Sequence, residues 1–127
     1  MKNFKELKIW QKGFLIVVNS FKITSTFPSH EKYGLISQIN RAAVSIASNI
    51  AEGSSRTSIK DYNRFIEISL GSAFELETQL LVARSLSYGD QALITSTLNL
   101  ITEEEKMLAA FSNMLTKQIH AKLKANS

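Results

Sequence analysis

The stretch LISQINRAAVSIASNIAEGSSR, from Leu35 to Arg56, decides the fold. Its apolar residues fall at Leu35, Ile36, Ile39, Ala42, Ala43, Ile46, Ala47, Ile50 and Ala51, the three-then-four spacing of one helical face. Gly53 follows the last of them, where a helix commonly ends in a left-handed residue. The other face carries Gln38, Arg41, Ser45, Ser48, Asn49 and Glu52. A solvated face is usually richer in Lys and Glu. Short hydrogen-bonding side chains around one Arg suit a face partly covered by another helix or chain, and the alternative is a solvated face that happens to be Ser-rich.

Outward from that helix the same period recurs. Leu7, Trp10, Phe14, Val17 and Phe21 predict a helix over about 4–24 with an apolar seam. Pro28 stops any continuation, and Ser29 can cap a second helix over about 30–52. Ser58 with Asp61 has capping-box spacing and opens a third helix over about 59–87. Its inward side is marked by Phe65, Ile66, Ser69, Ala73, Leu76, Leu80, Ala83 and Leu86. Gly89 and Asp90 make the next turn and cap. The fourth helix, about 91–122, has Ile94, Leu98, Ile101, Leu108, Phe111, Leu115 and Ile119 as its seam. Glu103 to Glu105 interrupt that seam for one turn, so a carboxylate there faces inward or toward a partner. Short connections make neighbours antiparallel. The expectation is all-α: one up-down-up-down antiparallel four-helix-bundle domain over residues 1–127.

A loop between Gly53 and Ser58 sets Gln38 level with Ala73, Ala42 with Ser69, Arg41 with Leu70 and Asn49 with Tyr62. Small residues then face each other, and Gly71, which costs about 1 kcal/mol in mid-helix relative to Ala, is read as a point of close backbone approach.

Composition narrows the classes. With 44% hydrophobic and 20% charged residues, the 127-residue chain suits one globular core rather than disorder. Cysteine is absent, which excludes disulfides and thiolate metal sites and fits a reducing, cytoplasmic setting. No apolar run approaches a membrane span, and lysines interrupt the apolar residues of MKNFKELKIWQKGF, so it is not a signal peptide.

No catalytic constellation can be assembled. His30 and His120 belong at opposite ends of such a bundle, and no His-Glu-x-x-His, Gly-rich phosphate loop or cysteine set occurs. A bundle metal site would need Glu-x-x-His beside Glu67, Glu75 and Glu77, and the chain has none. No cofactor or metal is expected. The carboxylates instead offer partners for Arg41. Gln38, Arg41, Ser45, Asn49, Glu52, Glu67, Glu75 and Glu77 form the expected structural polar network at a helix or subunit interface.

Charge gathers at one end. The start of helix one, the second loop and the end of helix four bring together Lys2, Lys5, Lys8, Lys12, Arg56, Lys60, Arg64, Lys117, Lys122 and Lys124, against Glu6, Glu52, Asp61 and Glu67. Lysines in the first turns of helices one and three oppose the helix dipole. A phosphate-binding surface would require such an end; solubility is the plainer explanation. No base-reading motif or aromatic platform is visible. Trp10, Phe14, Phe21, Phe65, Phe74 and Phe111 are read as core, while Phe4, Ile9, Tyr62 and Ile68 lie off the seams and could build a self-assembly surface.

The run QINRAAVSIASNIAEGSSR with GSAFELETQL (Gly71 to Leu80), LKIWQKGF (Leu7 to Phe14) and SHEKYGL (Ser29 to Leu35) resembles the four-helix-bundle family of the 23S ribosomal RNA intervening-sequence protein. Relatives of that family include the accessory protein of diversity-generating retroelements. The resemblance implies ring-forming homopentamers and, for the retroelement relatives, assistance to a reverse transcriptase and nucleic-acid binding. It assigns no binding residues here. The functional expectation is a noncatalytic, oligomeric basic module contacting RNA, DNA or a nucleic-acid enzyme. The alternative is a protein–protein scaffold with no nucleic-acid role.

Overall fold

A computed structural model describes residues 3–127. Four α-helices form: α1 (Lys8–Thr24), α2 (Leu35–Ser54), α3 (Ile59–Ser85) and α4 (Gln91–Ala125). Single 3-10 turns, Phe4–Glu6 and Ser29–Glu31, precede α1 and α2. Each helix packs on its neighbours in chain order and α4 closes back on α1, while α1 and α3 do not meet among the described residues. The helices therefore occupy the corners of a square, antiparallel in sequence, as the periodicity predicts.

The chain starts and stops these helices by local chemistry. Ser58 Oγ accepts the Asp61 N–H at 3.0 Å and Asp90 Oδ1 accepts the Leu93 N–H at 3.1 Å, so α3 and α4 open on the two caps read from the sequence. The α2 start differs. Ser29 begins a 3-10 turn, and α2 begins only after Gly34, whose φ of −106° and ψ of −108° break helical continuity. At its other end α2 runs through Gly53, which is buried inside the helix and does not terminate it. A methyl group there would lie 2.9 Å from Phe65 Cβ and 3.0 Å from Tyr62 Cδ1, so Gly53 serves close approach to α3. Gly71 has open space where its Cβ would be, and the close contact expected there is absent.

The core is aliphatic. Ile16, Ile23, Ile39, Ile46, Ile50, Ile66, Leu76, Leu80, Ile94, Ile101 and Leu108 are fully buried, each contributing about 1.5–3 kcal/mol. On α1 the inward seam is Ile9, Gly13, Ile16, Ser20 and Ile23, not the aromatic stripe. Trp10 and Val17 flank that seam half-buried, while Phe14 and Phe21 are 51% and 48% exposed. Both rows have helical spacing. The row with small Gly13 and Ser20 lets α1 approach its neighbours, and the bulky rings are left outside. Phe74 (52% exposed) and Leu86 are likewise outward rather than core.

Levels between α2 and α3 are one turn from those expected. Ser69 Oγ donates to the Ile46 carbonyl at 2.8 Å, whereas Ala42 had been set opposite it. Ser45 and Ser72 hydroxyls meet at 2.8 Å. Extension of α2 through Ser54 shifts the loop and accounts for part of that offset.

Candidate nucleic-acid interface and buried carboxylates

Antiparallel packing brings the start of α1, the α2–α3 loop and the end of α4 to one end. There Lys5, Lys8, Arg56, Lys60, Arg64, Lys117, Lys122 and Lys124 are all exposed. Lys12 stands about a turn inward, and Lys2 lies outside the described residues. The cations are not equivalent. Lys12 Nζ donates to Glu103 Oε2 and Arg56 to Glu52 Oε1, each at 2.5 Å. Arg56 also stands over the Phe65 ring, 4.8 Å from its centroid. These are the ion pairs found among the described residues; Lys8, Lys60, Arg64, Lys117, Lys122 and Lys124 have none there. The Lys12 partnership holds the Glu103 carboxyl below its ordinary range, first through the hydrogen bond and then through charge.

Three of the free cations, Lys60, Arg64 and Lys122, line hollows between α3 and α4, whereas Lys8 lines one between α1 and α4 and Lys117 one on α4 alone. A cleft of about 240 Å³ lies between the start of α3 and the end of α4, with Ile59, Ile119 and Leu123 as its aliphatic wall and Lys60 and Lys122 at its rim. A second hollow on the same pair of helices adds Arg64 and His120, together with Asp61 and Glu67. His30 is at the far end, in the turn before α2.

The polar network expected around Arg41 forms only in part. Arg41 and Gln38 are exposed, and Arg41 makes no ion pair among the described residues. Ser45 does bond across to Ser72, and Asn49 Nδ2 donates to the Ser45 hydroxyl at 2.9 Å. The carboxylates turn to other partners. Glu52 takes Arg56, Glu67 accepts from Asn63 at 2.8 Å, and Glu75 accepts from Gln79 at 3.1 Å. The partial cover that the polar stripe suggests is missing at Arg41 itself. That face is outward, so a charge on it needs no partner within the chain.

Glu77 lies near Glu105 of α4 instead, and Glu105 is raised to about 7 by burial first and then by neighbouring Glu77. Its neighbour Glu104 is the carboxylate that the interrupted α4 seam turns inward. Glu104 is 0% exposed and neither oxygen has a hydrogen-bond partner. Burial raises it to about 8, with Lys12 partly opposing. Its carboxyl lies in a recess left by Gly13, where an added methyl would stand 3.0 Å from Glu104 Oε2. The sequence marked the carboxylate by its place in the seam; the complementary role of Gly13 carried no local signal. No group of three or more His, Cys, Asp or Glu with metal-binding geometry occurs among the described residues.

Residues 5–110 match the family model described as 23S rRNA-intervening sequence protein. The fold is similar to the crystal structure of a protein with unknown function from the S23 ribosomal protein family of Bacteroides thetaiotaomicron VPI-5482. The TM-score is 0.72 and the identity 25%, covering 82% of this chain and 97% of that one. No curated protein matches the chain. No helix of the described residues is long and apolar enough to cross a membrane.

Proposed function

The chain belongs to the 23S rRNA-intervening sequence protein family, and from that premise we propose a noncatalytic, self-assembling basic module that contacts nucleic acid, or an enzyme acting on nucleic acid, through the basic end of the bundle. The observation that carries this reading is the gathering of exposed cations at one end of the bundle, with Lys60 in the first turn of α3. A cation there opposes the helix dipole, at a cost of a few tenths of a kcal/mol. It is tolerated beside Lys122, although like charges gathered at one end repel. A polyanion relieves that repulsion and releases its own counterions on binding.

Self-assembly is the second half of the proposal. Phe14 and Phe21 on α1, Val44 on α2 and Ile68 and Phe74 on α3 are exposed apolar side chains. A subunit interface would cover them and give Arg41 a partner. The homopentamer and the association with a reverse transcriptase come from the family resemblance alone, as does the nucleic-acid role of the retroelement relatives; a cytoplasmic setting rests on the cysteine-free composition. The scaffold reading, with no nucleic-acid role, is favoured by the internal neutralisation of Lys12 and Arg56.

Fluorescence anisotropy with labelled RNA and duplex DNA separates the two. Binding that weakens steeply with salt, and disappears in the Lys5→Glu, Lys8→Glu, Lys60→Glu, Lys122→Glu variant, supports the basic end. An absence of binding even at low salt leaves the scaffold.

A further inference from the structure

Within the basic end the cations differ in pairing. On the α1 and α2 side, Lys12 and Arg56 are held by Glu103 and Glu52 and Lys5 leans over the Phe4 ring at 5.9 Å, while Lys8 has no ion pair among the described residues. On the α3 and α4 side, Lys60, Lys117, Lys122 and Lys124 have no carboxylate within ion-pair distance among the described residues. From Lys106 to Ser127 the sequence contains four lysines and neither Asp nor Glu. Most of that segment lies beyond residues 5–110, the part matched by the family model. It is nevertheless built onto the bundle: Leu115 is buried and Ser112 Oγ donates to Asn63 Oδ1 of α3 at 2.7 Å.

We infer that the cleft between the first turns of α3 and the last turns of α4 is the nucleic-acid contact, and that its occupant is a single strand. The inference rests on the nucleic-acid reading above and assigns it to one place. Lys60 and Lys122 stand on opposite rims, one from each helix, and the cleft lining contains no carboxylate. Ser58 and Asn126 add hydrogen-bonding groups at its mouth, while Ile59, Ile119 and Leu123 offer an apolar wall. Leu123 is 64% exposed, an apolar surface that nothing among the described residues covers. A single strand supplies both complements, phosphates for the rims and unpaired bases whose faces the aliphatic wall can cover by apolar burial rather than by aromatic stacking. A duplex keeps its base faces stacked inside and meets only the rims. An acidic amphipathic peptide is the competing occupant, because it too combines negative charge with apolar surface.

The test uses the full chain with a labelled single-stranded RNA, a duplex DNA of equal length and an acidic amphipathic peptide, titrated at several salt concentrations. The expected order of affinity is single strand, then duplex, with the peptide weakest. Lys60→Glu with Lys122→Glu should weaken single-strand binding by about tenfold or more. Loss of two phosphate contacts should also make the slope of log affinity against log salt shallower by about 1.4. Lys22→Glu with Lys32→Glu, at the far end, makes the same change in net charge and should alter binding little. The substituted side chains are exposed, and Lys60→Gln with Lys122→Gln gives a milder second variant should the reversal disturb the fold. Binding lost with Lys5→Glu and Lys8→Glu but kept with Lys60→Glu and Lys122→Glu would overturn the assignment and leave the nucleic-acid reading standing. So would preference for the duplex or the peptide with respect to the occupant. Failure of the unsubstituted chain to bind any nucleic acid at low salt removes both.

Discussion

Glu104 holds a proton at neutral pH because ionisation would place an unpaired charge among Ile46, Ala47 and the aliphatic seam, with Lys12 already engaged by Glu103. The unfolded chain releases that proton above about pH 4.5, whereas the native chain keeps it to about pH 8. The native state therefore binds more protons across that window, and stability falls as pH rises through it, by about 1.4 kcal/mol per pH unit where the difference is one full proton. Glu105 adds in the same direction up to about pH 7. Urea unfolding at a series of pH values should show this decline, and Glu104→Gln should make it shallower while leaving the Glu105 part. A profile unchanged by Glu104→Gln would mean that the carboxyl is solvated in the native state. That a carboxylate would turn inward or toward a partner was legible in the run Glu103 to Glu105. Which one, and the recess for it at Gly13, were not, because Gly13 and Glu104 meet only once α1 has packed on α4.

The helices themselves were the most legible level. Ser58 and Asp90 announce α3 and α4, since a cap uses groups a few residues apart and needs nothing from elsewhere. The two glycines read for their neighbours separate local from tertiary information. Gly53→Ala should destabilise by about 1–3 kcal/mol through overpacking, because Phe65 and the Tyr62 backbone stand against its missing Cβ. Gly71→Ala, facing open space, should stabilise an isolated chain by about 1 kcal/mol. Chemical denaturation of both variants at concentrations low enough to hold single chains checks the pair. A Gly71→Ala variant that is less stable, or that changes mass at high concentration, would show that another copy lies over this face of α3. Periodicity alone picks the wrong inward row of α1, because Leu7, Trp10, Phe14, Val17 and Phe21 repeat as regularly as Ile9, Gly13, Ile16, Ser20 and Ile23, the row that is buried.

For the whole molecule the consequence of that choice is an outer flank of aromatic side chains. Phe14 stacks on Trp10 at 5.2 Å between centroids and still leaves half its surface outside, and Phe21 continues the flank. Replacing both by Ser should cost little core packing, so helicity and two-state unfolding should persist. If this flank is the assembly surface, the mass measured by light scattering should drop to that of the single chain, 14.2 kDa. An unchanged assembly would place the subunit contacts elsewhere, and a chain that is already single before substitution would remove the self-assembly half of the proposal.

Four helices, their order, their antiparallel sense and the gathering of lysines at one end follow from spacing along the chain and from the shortness of the loops. The inward row of α1, the one-turn offset between α2 and α3, the burial of Glu104 against Gly13 and the difference between paired and unpaired cations at the basic end emerge only when the helices pack. Those features depend on contacts between residues far apart in sequence, where side-chain volume and the closest approach of backbones choose among faces that periodicity leaves equal.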